Sequence, residues 1–380
     1  MSKIEIIPVK GLGSFLDFCK VPRIIYKGLK GFAPCLDAER WTLYAHMLNP
    51  HFKLVDSQAW IARRDGKLVG RNFAQVYKDG IKPLGASPAQ FGCLDCIEDA
   101  DVLKALLTTA EGWLRQHGAT TIHGPFSPSV NAECGMLVEG FEATPMIFMP
   151  WNPPYLPALL EKAGYKKARD LISYRYDLTA EDRAEKAGVM ARPEWRERLK
   201  IRNIDLKTMA EEAKILVDIF NDAWSQNWGF VPFTYEEFMS TADGMKLVMP
   251  PEGGFIIELD GEAQAFGVVL PNLHEITADL DGKLFPLGLP KVISRARHHI
   301  YHSGRLALFG IRRALHRKAV GGVVILALIE EMRRRSRNYD IQHVEFGWVL
   351  EDNEGMRRPI EMFGSKVDKV HRIYEKDLAA

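Results

Sequence analysis

The chain has 380 residues, and at roughly 100–200 residues per domain that is the length of two domains. Its 47% hydrophobic and 26% charged residues, with 31 Gly and 21 Pro, exclude a disordered or collagen-like chain. Fifty Lys and Arg against 49 Asp and Glu leave a formal charge of +1, so no global field draws the chain to nucleic acid or to an anionic bilayer.

The N-terminus carries charge where a signal peptide needs an apolar stretch. The longest apolar run, Val320 to Ile329, falls short of the ~20 residues that a membrane span needs. Both features predict a cytoplasmic protein. Five cysteines, Cys19, Cys35, Cys93, Cys96 and Cys134, are an odd number without an export signal, which argues against a disulfide framework. Cys93 and Cys96 are assigned no chemistry and no metal, because strand positions three apart face opposite sides and there is no second pair.

Half one opens with a short strand, Ile4 to Val9, and a helical stretch around Leu12 to Leu29. Within it, Phe15 to Phe32 mixes aromatics, aliphatics and cations. Such a segment either rests on a bilayer surface, peripheral to the inner membrane, or packs as an ordinary amphipathic helix. Trp60 to Gly70 reads as strand, Asp65-Gly66 turn, strand. A strand at Gln90 to Ile97, a helix at Ala100 to His117, a strand at Thr120 to Gly124, a helix at Tyr155 to Ala163 and a strand at Leu171 to Leu178 complete the half. Thr179 to Lys200, rich in Arg, Glu and Lys and broken by Pro193, reads as a linker.

The same order then returns: strand Lys200 to Ile204, helix Met209 to Trp224, an Asp260-Gly261 hairpin, strand Arg305 to Ile311, helix Val320 to Arg335, strand His343 to Val349, helix Glu354 to Phe363 and strand His371 to Leu378. Glu161, Gly164, Lys166, Tyr174, Asp177 and Leu178 recur without a gap as Glu361, Gly364, Lys366, Tyr374, Asp377 and Leu378. The predicted fold class is α/β, a twisted mixed sheet flanked by helices, present twice.

This order, with Gly124-Pro-Phe-Ser-Pro-Ser-Val-Asn131-Ala-Glu133-Cys-Gly135, Met149-Pro-Trp-Asn152-Pro-Pro-Tyr155, Asn221 to Pro232 and Trp348-Val-Leu-Glu351-Asp352-Asn353, resembles tandem GCN5-related N-acetyltransferase (GNAT) proteins over nearly the whole chain. It looks like a bacterial family of which some members are associated with ceramide synthesis. The resemblance implies an N-terminal GNAT-like domain at 1–180, a linker at 181–199 and a C-terminal GNAT domain at 200–380. It also implies acyl transfer from an acyl-CoA or acyl carrier protein thioester, as co-substrate and without a prosthetic group, to a primary amine acceptor.

A GNAT enzyme holds the pyrophosphate of coenzyme A on backbone N–H groups at a helix N-terminus. Lys318-x-x-Gly321-x-Val323 keeps the spacing of that loop but alters its first and last residues, and Ile311, Arg312, Arg313, Arg317, Gly322 and Asn353 complete the expected donor site. In half one Cys93 to Leu103 passes from strand to helix through acids without a glycine, which predicts a half that has lost the donor. Amine acylation needs a proton acceptor, and Glu275 with His274, just past the second hairpin, is the predicted base. Trp224, Asn227, Trp228 and Phe230 either wall an apolar acceptor channel or fill the core. Asn131 and Glu133 are polar candidates in half one. The tyrosine that GNAT enzymes use as acid is replaced by Leu160 and Ile360; Tyr374 remains available, although its repeat mate Tyr174 points to a structural role. The readings left open are a small-molecule N-acetyltransferase, a Fem-like aminoacyl transferase and a degenerate pair acting as a binding module.

Overall fold

The computed structural model describes residues 3–179, 188, 192–246 and 249–379. These divide into two compact units. Unit 1 takes the residues up to Leu171, Ile276–Arg295 and those from Lys369 onward, while unit 2 takes Ile172–Glu275 and Ala296–Asp368. Most of the expected linker lies outside the described residues.

In unit 1, β1 (Ile4–Pro8), α1 (Gly11–Ile25) and α2 (Asp37–Tyr44) precede a meander of β2 (Val55–Arg64), β3 (Lys67–Tyr77) and β4 (Ala89–Cys96). The β2–β3 turn is made by Asp65 and Gly66 at φ 51° and 76°, the left-handed pair that a two-residue hairpin demands. Next come α3 (Ala100–Gln116), β5 (Thr121–Gly124), the two-residue strands β6 (Phe126–Ser127) and β7 (Glu133–Cys134), β8 (Met136–Glu139), α4 (Tyr155–Lys162) and β9 (Lys166–Asp177). Asp99 caps α3 by accepting from the N–H groups of Asp101 and Val102, so the acids there serve the helix end as expected. The core of the unit forms where Leu103, Leu106, Leu107 and Leu114 of α3 meet Phe91, Ile122, Leu156 and Leu160.

In unit 2, α5 (Pro193–Arg196), β10 (Leu199–Asn203), α6 (Met209–Trp224) and α7 (Tyr235–Lys246) lead into the hairpin of β11 (Gly254–Leu259) and β12 (Glu262–Pro271), turned by Asp260 and Gly261 at φ 53° and 87°. The chain then runs through the short α8 (His274–Thr277) and through α9 (Gly288–His298), which lies largely in unit 1. Back in unit 2 come β13 (Ser303–Ile311), α10 (Ala319–Arg337), β14 (His343–Leu350) and α11 (Glu354–Met362), and β15 (Lys366–Asp377) returns to unit 1. The strand order of unit 2 is β9-β14-β13-β12-β11-β10, and that of unit 1 is β1-β2-β3-β4-β5-β15.

The last strand of each repeat therefore completes the sheet of the unit that the other repeat builds. Tyr374 on β15 pairs with Gly124 of β5, and its hydroxyl donates to Glu161 at 3.0 Å, within unit 1. Tyr174 on β9 donates to Glu361 at 2.8 Å and accepts from Arg357 at 2.9 Å, within unit 2. The recurring Glu and Tyr are thus partners across the repeats. The helix expected around Leu12 to Leu29 ends at Ile25, and Phe18, Val21 and Tyr26 are buried, so its aromatic face packs into unit 1.

Candidate active site

In unit 2 the parallel strands β13 and β14 pair from Ser303 and His343 as far as Leu306 and Phe346. Both strands continue, to Ile311 and Leu350, without pairing each other, which opens a wedge between their C-terminal ends. The register between β12 and β13 also shifts there: Val268 faces Leu308 and Val269 faces Leu306, so Ala307 is an extra, bulged residue. Just before the wedge, Arg305 and Glu345 stand opposite each other, nearly fully buried, with 3.6 Å between Nε and Oε1. The Arg305 guanidinium also donates to the carbonyl of Gly347, the first residue past the paired region, at 3.0 Å.

The walls of the wedge are aromatic. The Trp224 indole N–H donates to the Phe309 carbonyl at 3.0 Å, and its ring meets those of Phe309 and Trp348 edge-on at 5.8 and 5.5 Å. Trp224 also stacks on Phe220. Asn227 and Phe230 lie in the turns that follow α6, where Phe230 N–H donates to Asn227 O and Asn227 N–H to Trp224 O. Trp228 lies half-buried in the same stretch. Trp348, Phe309, Ala307 and the Arg305–Glu345 pair were not expected as site residues. A bulge has no marker in the chain, and Trp348 stood only within a quoted motif.

The expected donor residues gather at the open end of the wedge. Ile311 closes β13; Arg312 bonds to Asp218 at 2.6 Å and to the Ala263 carbonyl, and the Arg313 N–H donates to Asp222 at 2.7 Å. Lys318 is the N-cap of α10 without a capping side chain, and Arg317 beside it holds φ 59°. The first N–H groups of a helix this long have no intrahelical partner and the dipole there is positive, so this terminus suits an anionic group. The two glycines differ. A Cβ on Gly321 would stand 2.0 Å from the Leu315 carbonyl oxygen, whereas one on Gly322 would meet nothing within 4 Å. Gly321 lets the loop pack on the helix; Gly322 leaves the approach open. Asn353 caps α11 just past β14, at the same end of the strands.

Unit 1 has the same strand pair and no wedge. β4 and β5 pair only at Gln90 and His123, and β6 lies against β4: the Cys93 N–H donates to Ser127 Oγ at 2.9 Å, and a Cβ on Gly92 would fall 1.6 Å from the Phe126 carbonyl oxygen. The chain itself fills the space. Glu133, on β7, is held by both guanidinium nitrogens of Arg40 at 2.9 and 2.5 Å, and Asn131 lies half-buried before it. Both belong to unit 1, as does Tyr374, whose phenol is pushed up by burial and by Glu161.

Glu275 lies before β13. Its carboxylate accepts from His299 Nε2 at 3.0 Å, the His302 N–H at 3.0 Å, the Ser303 N–H at 2.8 Å and Ser303 Oγ at 2.5 Å. Burial opposes its charge, but the hydrogen bonds from Ser303, His302 and His299 outweigh burial and hold the group below the usual carboxylate range. A carboxylate so engaged is an anchor. The Ser303 that it grips precedes Leu306, the last paired position, by three residues, on the order of 10 Å along a strand. His274 is not among its partners; the His274 N–H donates to Asn272.

A mixed sheet whose parallel pair splays beside a bulge and a cation-rich helix start defines a GNAT-fold acyltransferase, here in tandem. No protein-family model matches the sequence. Among solved structures, a tandem GNAT protein from the clavulanic acid biosynthesis pathway superposes with a TM-score of 0.57 at 17% identity over 99% of both chains. A GCN5-related N-acetyltransferase from Sphaerobacter thermophilus gives 0.52 at 14% identity over 98% of this chain and 96% of its own. In sequence the chain is 37% identical to Protein YghO of Escherichia coli, over 95% of this chain and 92% of that one. It is 34% identical to a Caulobacter vibrioides protein named bacterial ceramide synthase, over 99% and 98%. The chain belongs to the family of these two relatives. Among the described residues no helix is long and apolar enough to cross a membrane.

Proposed function

We propose that the protein acylates the primary amine of a long-chain, sphingoid-type base with a fatty acyl group from an acyl-CoA or acyl carrier protein thioester. The observation that carries this reading is the aromatic-walled wedge of unit 2, open at the cation-rich start of α10. The pantetheine arm lies between the splayed strands and the phosphates meet the N-terminus of α10 with Arg317 and Lys318. The thioester carbonyl reaches the Ala307 bulge, where a backbone N–H released from the ladder stabilises the developing oxyanion. The amine nitrogen attacks the carbonyl carbon, the C–S bond breaks, and the thiolate leaves.

Glu345 stands one residue before the end of strand pairing, beside Arg305, and we assign it the proton of the attacking ammonium. Glu275 is left as the anchor of β13, and Tyr374 has no part in the step. The long chain is supported by Trp224, Phe309 and Trp348 and by the name of the Caulobacter relative. A substrate of that kind resides in membranes, so the enzyme meets it at a bilayer surface.

The test is turnover of amines and acyl thioesters of increasing chain length, with mass spectrometry of the ligand retained on purification. Long chains should react best. Preference for acetyl donors and small polar amines would replace this reading with a small-molecule N-acetyltransferase. Retention of neither a thioester nor an amine, with no turnover, would leave a binding module.

A further inference from the structure

The segment Lys283 to Ile293 exposes apolar side chains that a soluble surface ordinarily hides. Phe285 is 76% exposed, Leu287 68%, Leu289 39% and Ile293 45%. On α9 the positions 289, 292, 293 and 296 form one helical stripe, and Leu289, Ile293 and Ala296 of that stripe face solvent. Arg297 borders that stripe, while Lys291 and Ser294 lie on the far side of the helix; all three are exposed. The charge pattern is one-sided: no Asp or Glu occurs between Asp281 and Glu330, while that interval carries Lys283, Lys291, Arg295 and Arg297 before β13.

The segment is rooted rather than loose. Arg23 of α1 donates to the Asp281 carbonyl at 2.7 Å, and Asp37 N–H donates to Gly282 O at 2.8 Å. Arg295 closes the far end on Asp279 with two hydrogen bonds at 2.5 and 2.9 Å. Its root also adjoins the exposed end of α1, where Ile24 and Leu29 are 48% and 40% exposed beside Lys27 and Lys30. The acids close to this surface already have cations, Asp281 with Lys27, Asp279 with Arg295 and Glu142 with Lys30, so the unpaired charge is positive.

We infer that Lys283 to Arg297 is a bilayer-docking arm: Phe285, Leu287, Leu289 and Ile293 enter the acyl boundary of a membrane while Lys283 and Arg297 lie against anionic lipid headgroups. A firmly rooted amphipathic helix with its apolar stripe outward, Arg297 at its border and Lys283 just before it has the chemistry of an interfacial helix. The inference gives a place to the lipid acceptor proposed above, but binding is read without turnover, so either can fail alone.

The experiment is co-sedimentation of the full chain with vesicles of phosphatidylcholine alone and of phosphatidylcholine mixed with phosphatidylglycerol. The protein should pellet with the anionic vesicles and be released as salt is raised. Phe285→Ser with Leu287→Ser should weaken binding by on the order of tenfold or more, since each buried side chain is lost from the apolar phase. Lys283→Glu with Arg297→Glu should abolish the preference for phosphatidylglycerol. Because these side chains are exposed, the thermal melt of both variants should match wild type, which separates lost docking from lost folding. Wild type left in the supernatant overturns the inference, as does unchanged binding by both variants. Capture of an acidic carrier protein by the arm without vesicle binding overturns it also.

Discussion

Alanine at Gly321 and alanine at Gly322 should act with opposite sign on stability, although the two positions are adjacent. A Cβ on Gly321 would stand 2.0 Å from the Leu315 carbonyl oxygen and 2.9 Å from its carbon, and contacts below 3.0 Å are essentially never found. The obstructing atoms are backbone, so Leu315 must move by about an ångström, carrying with it the Arg312 to Lys318 loop that its N–H ties to the Arg312 carbonyl at 2.9 Å. Overpacking of this kind costs about 1–3 kcal/mol. At Gly322 a methyl meets nothing within 4 Å, and removing the backbone freedom of glycine in a helix stabilises by about 0.4–1 kcal/mol. The same methyl occupies the open approach to the first turn of α10, so coenzyme A should bind on the order of tenfold more weakly, about 1.4 kcal/mol. Urea unfolding and titration calorimetry with coenzyme A measure the two quantities on each variant. If Gly322→Ala gains stability and keeps full affinity, no phosphate rests on this helix start and the donor assignment fails.

Three further outcomes follow from the same geometry. Arg305→Met leaves Glu345 buried without its guanidinium and should destabilise unit 2 by about 3–5 kcal/mol in urea; a loss below about 1 kcal/mol would mean that water reaches the pair. Glu275→Gln should leave the pH–rate profile in place, because Glu275 anchors β13, but should change acid stability: a carboxylate held below its unfolded value contributes stability above the unfolded pKa and loses it as pH falls through the folded one, so wild type should lose more than the variant below about pH 4. A shifted rate profile would return the proton to Glu275 and His299. Trp224→Ala should flatten the dependence of kcat/KM on acyl or amine chain length, each methylene contributing about 0.8 kcal/mol where the wall is intact; an unchanged ranking would place the chain elsewhere.

The hairpins and the repeat were legible because their signals are local: an Asp-Gly pair at each turn, and six residues recurring at fixed spacing. The proposed donor loop is a local signal of the same kind, since cations and glycines before a helix are a contiguous string. The wedge was not. It arises where two strands about forty residues apart stop pairing after Leu306 and Phe346, and neither residue differs in kind from its neighbours. Glu275 was read as a base because it lies just past the second hairpin beside a histidine; its four donors come from His299 to Ser303, which only folding brings to it.

A half one without a donor was expected from acids at the start of α3, and the structure adds a second and stronger reason for that expectation. Asp99 alone would only weaken an anion site, by charge. The Phe126–Ser127 strand closes the gap by volume, since the 1.6 Å that separates the Gly92 Cβ position from the Phe126 carbonyl oxygen leaves no room for a pantetheine arm. Charge reversal at the helix start should therefore not create donor binding in unit 1 while β6 stays in place, whereas in unit 2 the buried Arg305 guanidinium spans Glu345 and Gly347 where the wedge begins. One repeat filled its cleft with its own backbone and became rigid there. The other holds its cleft open at the cost of burying an ion pair, a trade that is reasonable only where the opening is used.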